Sequence, residues 1–248
     1  MLVSCLTRQS KHRRAQYGLT LVPIEAGENE SSINLYEKQP FSAEELAGVR
    51  TLMSACDEDT CSHSWRIAHL AREMACYLRL SDTEVWTAFL SALLHDIGKA
   101  RIPWGLLNKQ GPLNGKEWDM IRQHPEIGAQ MLLEVGGKFA ELAPLVLAHH
   151  ERWDGEGYPR RLRGEQIPLI GRLLAVVDSF DAMTSQRPYQ RSLTDVEACM
   201  ELQRYAGSQY DPLFVDAFLC MLSVQNPLIP SWSFPAIQLS PVHKPAIA

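Results

Sequence analysis

Residues 81–103 read SDTEVWTAFLSALLHDIGKARIP. Ser81 with Glu84 three residues on is a helix-start signature, in which each side chain satisfies the other residue's backbone N–H. Behind it Trp86, Phe89, Leu90, Leu93, Leu94 and Ile97 recur at three- and four-residue steps, which predicts a helix with one buried face. That stripe runs into His95 and Asp96. A carboxylate placed at the end of a buried face needs a partner, because an unpaired buried charge is strongly unfavourable.

The same periodicity extends in both directions. Ile67, Leu70, Ala71, Met74, Ala75 and Leu78 predict a preceding helix. Pro125 occupies a favourable first-turn position just behind His124. A helix from near Pro168 carries the apolar run IGRLLAVV (170–177) and sets Asp178 and Asp181 on one face. Thr194 with Glu197 forms a second capping box, for a helix that stops near Gly207, and Asp211 caps a last helix opening at Pro212. Alternating strand-like runs are absent. The expected fold class is therefore all-α: a single multi-helix bundle of about seven or more helices, without an internal repeat.

Three parts are expected along the chain. Residues 1–40 lack sustained periodicity, end in the polar run GENESSIN and read as a short accessory or loosely ordered segment. Residues 41–224 form the helical domain. Residues 225–248 carry five prolines, which forbid a continuous helix and favour an extended tail.

At 248 residues with 46% apolar content the chain can bury a core, and a net charge of -5 argues against a general nucleic-acid-binding surface. A small anion in a local positive pocket stays compatible with that charge. The six cysteines, at 5, 56, 61, 76, 199 and 220, form no CxxC and no regular framework, so reduced, mostly buried thiols and a cytoplasmic location are expected. No apolar run reaches the roughly 20 residues of a membrane span, and the first residues do not read as a signal peptide.

Metal-ligand chemistry concentrates in four places besides His95-Asp96: His63, His124, the stretch HHERWDGEGYP (149–159) and DSFDAMTSQRPYQ (178–190). A single core histidine is more often hydrogen-bonded than metal-bound, but of eight histidines only His12, His69 and His243 lie outside these elements. Imidazole and carboxylate donors suit iron, manganese or zinc, no cysteine pairs with them at zinc-finger spacing, and a cluster of this kind points to a di-metal site. Lys99, one turn beyond His95, can reach a phosphate oxygen, and the guanidinium fork of Arg187 fits phosphate as well. The glycines of GEGYP permit a tight loop that Pro159 stiffens.

The ordered series HSWRIA (63–68), LLHDIGKARIP (93–103), HPEIG (124–128), HHERWDGEGYP, DSFDAMTSQRPY and YDP (210–212) resembles the HD-GYP domain, a branch of the HD phosphohydrolase superfamily. The resemblance covers roughly residues 50–222 and implies metal-dependent hydrolysis of the bacterial second messenger cyclic di-GMP to pGpG, and in some members onward to GMP. It implies metal ligands at His63, His95, Asp96, His124, His149, His150 and Asp178, with Asp96 bridging two ions, Fe or Mn. A metal-bridged hydroxide would attack phosphorus while the ions stabilise the developing charge. Asp96 and Lys99 would then be catalytic, and Lys99, Gly157, Tyr158, Asp181, Arg187 and Arg191 would line the substrate. A third ion is implied through Asp59, one turn before His63, where some members place a glutamate.

This chain departs from the family in having Gln190 where a basic residue often follows RPY, with Arg191 next, and Ser62 where glycine often precedes the first histidine. The GYP loop is an expected contact for diguanylate cyclase domains, and no nucleic-acid polymer or membrane partner is implied. Two other readings keep the same ligands: hydrolysis of another nucleotide, including a mixed GMP-AMP cyclic dinucleotide, and a non-catalytic sensor or scaffold. No second domain fits within residues 1–40, so control is expected from expression, partner binding or that segment.

Overall fold

The computed structural model describes residues 42–54, 56, 58–185 and 192–225. Ten α-helices run through them: α1 (Ala43–Met53), α2 (Glu58–Tyr77), α3 (Asp82–Leu94), α4 (Trp104–Leu107), α5 (Gly115–Ile121), α6 (His124–Val135), α7 (Lys138–Leu147), α8 (Leu169–Thr184), α9 (Asp195–Arg204) and α10 (Pro212–Gln225). Short 3-10 turns occupy Ile97–Arg101 and Gly164–Gln166. No named strand occurs among the described residues, and the pairing of Ala206 with Tyr210 is an isolated bridge. The all-α expectation holds.

Helix starts follow local chemistry. The Glu84 carboxylate accepts the Ser81 N–H at 2.8 Å, and the Thr194–Glu197 box repeats the arrangement at 2.8 Å. Asp211 accepts the Leu213 N–H at 2.9 Å, as its capping role requires. A third box, Asn114 with Glu117, starts α5, which sequence analysis did not identify. Helix α9 ends at Arg204, slightly before the expected stop near Gly207, and residues 205–210 turn back on themselves through hydrogen bonds to the Tyr205 carbonyl.

Helix α8 is the central element: it packs against α2, α3, α7, α9 and α10. Its residues Leu173, Leu174, Val176 and Val177 are fully buried in one continuous apolar core with Ile67, Met74, Leu90, Leu94, Phe214 and Phe218. Burying that apolar surface is the main force holding the helices together. One expectation about the thiols needs correcting. Of the described cysteines only Cys199 is buried; Cys76 is exposed and Cys61 and Cys220 are half-buried on their helices, as is Cys56 between α1 and α2.

Two glycines bring separate helices to one point. A Cβ on Gly98 would lie 2.0 Å from the His124 carbonyl oxygen, and one on Gly128 would lie 3.2 Å from the Gly98 nitrogen. The 3-10 turn after His95-Asp96 therefore presses directly on the start of α6, which only glycine permits.

Candidate metal centre

Three of the histidines stand just beyond helix ends and use the same device. The Nδ1 atoms of His95, His124 and His149 lie 2.7, 2.8 and 2.5 Å from the carbonyl oxygens of Ala92, Ile121 and Val146. A carbonyl only accepts, so each Nδ1 carries the proton and donates it, while Nε2 is left to face the interior. These carbonyls belong to the last turns of α3, α5 and α7, where acceptors outnumber helical N–H donors, and each imidazole adds a donor there. Fixing the ring through its other nitrogen is the way metal-bound histidines are held.

The Nε2 atoms converge. Those of His124 and His149 are 3.2 Å apart, where two lone pairs repel unless a proton or a cation lies between them. Asp96 sits among them, with Oδ1 3.2 Å from His124 Nε2 and Oδ2 3.3 Å from His95 Nε2. Neither contact is aligned as a hydrogen bond, and His95 Nε2 and Asp96 Oδ1 remain buried without a hydrogen-bond partner. Such atoms are costly unless something electrophilic joins them. Lys99 Nζ donates to Asp96 Oδ2.

His63, on α2, is held from α8 on both sides: Nδ1 lies 2.7 Å from Asp181 Oδ2 and Nε2 3.2 Å from Asp178 Oδ1. Asp181, expected among the substrate contacts, is 4% exposed, and Arg66 grips its two oxygens at 2.6 and 2.9 Å. Its place is behind His63, as an orienting group. No local signal in the sequence marks Arg66 for this role, because only the fold brings that residue of α2 beside the end of α8.

Three donor sets of appropriate spacing result: His63, His95 and Asp178; His124, His149 and His150; and His95, Asp96 and His149, which overlaps the first two. The cluster has the oxygen and nitrogen donors of a divalent-metal site. Asp59, the expected ligand of a third ion, is exposed on α2 and belongs to none of these sets. Arg187 and Arg191 lie outside the described residues.

Electrostatics fits the donor roles. Burial pulls His149 well below the usual imidazole range, helped by His150, and burial takes His150 down to about 4, so both stay neutral at pH 7. Burial also opposes charge on His63, but hydrogen bonds to Asp178 and Asp181 outweigh it and raise that ring to about 9. His95 is likewise raised, with Asp96 overcoming burial. Burial works against ionised Asp96 and Asp178, yet Lys99 and His95 hold the former low, and His63 the latter.

The GYP loop wraps the remaining side. Glu151, 3% exposed, accepts the N–H groups of Arg160 and Leu162 at 2.7 and 3.0 Å, clasping the loop to the chain segment that carries His149 and His150. A Cβ on Gly157 would lie 2.3 Å from the Arg152 nitrogen, so this glycine is required by close approach. The peptide bond between Tyr158 and Pro159 is cis, and the Tyr158 ring lies 4.9 Å from that of His150. A separate cleft of about 630 Å³, lined by Trp153, Arg163, Glu165 and Gly207 among others, shares no side chain with the cluster.

The family model described as HD domain matches residues 47–213. Among curated proteins, the chain is 39% identical over 184 residues to a "Cyclic di-GMP phosphodiesterase" of Thermotoga maritima, covering 74% of this chain and 50% of that protein. It is 33% identical to the "3'3'-cGAMP-specific phosphodiesterase 2" of Vibrio cholerae, covering 76% of this chain and 36% of that protein. The chain thus spans half or less of the length of these relatives. Among solved structures, an HDG"Y"P protein of Bdellovibrio bacteriovorus superposes with a TM-score of 0.54 at 18% identity, covering 66% of this chain and 52% of that one, a likeness of fold.

Proposed function

The chain belongs to the HD-domain family, in its HD-GYP branch, and from that premise we propose that it is a metal-dependent phosphodiesterase that hydrolyses cyclic di-GMP, with pGpG or GMP as the end product. Asp96 carries the reading. One of its carboxylate oxygens faces His124 and the other faces His95, so Asp96 would hold divalent metal together with His63, His95 and Asp178 on one side and His124, His149 and His150 on the other. Nitrogen and oxygen donors without a thiolate favour Fe or Mn. When bound, such ions supply Lewis acidity toward a phosphoryl oxygen and an activated water.

The chain's own groups do the rest. His63 and His95 would have to give up their protons to hold a metal ion, while the carbonyls behind His95, His124 and His149 keep those three rings turned inward. Arg66 and Asp181 hold His63 in place. Lys99, which leans on Asp96 in this structure, is freed to donate to a phosphate oxygen once Asp96 is engaged. Gly157 and Tyr158, with Arg187 and Arg191, line the substrate, and the GYP loop is the contact for diguanylate cyclase domains. We assign the catalytic domain to residues 41–224 and a cytoplasmic location; no helix of the described residues is long and apolar enough to cross a membrane.

The test is hydrolysis of cyclic di-GMP by protein purified without oxygen and supplied with Fe(II) or Mn(II), with metal content measured on the same sample. Metal-dependent release of pGpG or GMP is expected. The likeness to the Vibrio cholerae protein motivates a mixed GMP-AMP cyclic dinucleotide as the second substrate in the panel; turnover of that compound alone would reassign the substrate. Two bound ions with no turnover of either would leave a sensor.

A further inference from the structure

Arg122 is absent from every role assigned above, yet it stands at the entrance to the metal centre. It caps the end of α5, two residues before His124. Its guanidinium carbon lies 5.5 Å from the centre of the Tyr158 ring and 6.0 Å from that of Trp118, and Tyr158 in turn stacks on His150. Surface, cation, tyrosine and ligand histidine thus form one continuous wall. The side chain is exposed, Trp118 is 49% exposed, and no described residue gives the Arg122 guanidinium a hydrogen bond or a carboxylate partner.

That arrangement contrasts with three other arginines of the fold. Arg66, Arg152 and Arg172 are each spent on a carboxylate, those of Asp181, Asp154 and Asp211. Aromatic faces hold the Arg122 plane without consuming its N–H donors, so the fork is oriented in advance and still available. A cyclic dinucleotide carries two phosphodiesters on one ring. The two lie on opposite sides of that ring, so with one held at the donor cluster the other would be free to meet the rim that Tyr158 forms beside His150.

We propose that Arg122, oriented by Tyr158 and Trp118, binds the second, non-reacting phosphodiester of a cyclic dinucleotide and thereby selects substrates that carry two. This rests on the phosphodiesterase reading, and it supplies a positive contact within the described residues that does not depend on Arg187 or Arg191. A planar fork matches two phosphate oxygens, so lysine at this place keeps the charge and loses the geometry.

Two ligands separate this role from a structural one. Bis(p-nitrophenyl) phosphate has one phosphodiester and reports on the metal centre alone, whereas a phosphorothioate analogue of cyclic di-GMP reports equilibrium binding without turnover. In Mn(II)-loaded protein, Arg122→Ala is expected to raise Kd for the analogue about tenfold or more. The fall in kcat/KM should be at least fivefold greater for cyclic di-GMP than for bis(p-nitrophenyl) phosphate, and Arg122→Lys should recover part of the binding. Unchanged Kd in Arg122→Ala overturns the subsite and leaves the phosphodiesterase reading standing. Equal loss on both substrates shows that Arg122 only props the loop, which also overturns it. Wild-type protein that cleaves bis(p-nitrophenyl) phosphate but neither binds nor cleaves a cyclic dinucleotide sinks the substrate assignment itself.

Discussion

His63 shows how one imidazole can be poised between a proton and a metal ion. In metal-free protein its neighbours Asp178 and Asp181 outweigh burial and raise it to about 9, above its unfolded value near 6.5. The stabilisation is therefore complete below about pH 6.5 and disappears as pH rises through about 9, an effect on the order of 3 kcal/mol. Thermal melts of chelated protein should fall across that window, and His63→Gln should flatten the dependence. Metal binding at pH 7 should release protons, measurable by calorimetry in buffers of different ionisation enthalpy. Asp181→Asn or Arg66→Ala leaves every donor present but loosens His63, so metal affinity is expected to drop roughly 10- to 100-fold with saturating stoichiometry retained. Complete loss of one ion in either variant would argue instead that Asp181 is itself a ligand.

Among the elements, the 3-10 turn at Ile97–Arg101 and the GYP loop are fixed by glycines that no side chain can replace. Gly98→Ala puts a methyl group 2.0 Å from the His124 carbonyl oxygen and must part the turn from α6, a cost of about 3 kcal/mol or more, visible in urea unfolding. The Ser81 cap of α3 is exposed and local, so Ser81→Ala should cost only about 1 kcal/mol and leave metal content unchanged. The comparison tests whether the turn, rather than α3 as such, unites the donor sets. Periodicity and capping residues announced α2, α3, α8 and α9 because those signals lie within a few residues of one another. The third capping box at Asn114 was equally local and went unread because a short polar helix carries little apolar pattern.

For the molecule as a whole, the cluster is costly to fold without a cation, since five imidazoles and two carboxylates meet in the space between α2, α3, α6, α7 and α8. Ligand binding to the native state stabilises by mass action, about 2.7 kcal/mol at a hundred times Kd. Mn(II) or Fe(II) should therefore raise Tm by several degrees, reversibly with chelator. The double variant His95→Ala with Asp96→Ala should show no such shift and no turnover, while its far-ultraviolet circular dichroism remains helical. Activity preserved in that variant would sink the proposed centre.

Local signals suffice for the helical class, for the starts of α3, α8, α9 and α10, and for the chemical types and order of the donors, because capping residues and motif spacing are short-range properties. Tertiary structure decided which candidate donors come together, since His63 and Asp178 are separated by more than a hundred residues and meet only where α2 packs on α8. It also moved Asp181 from the substrate side to the back of His63, kept Asp59 out of the donor sets and set Arg122 against Tyr158. Spacing places residues on a face. What that face meets depends on which distant helix the core brings against it.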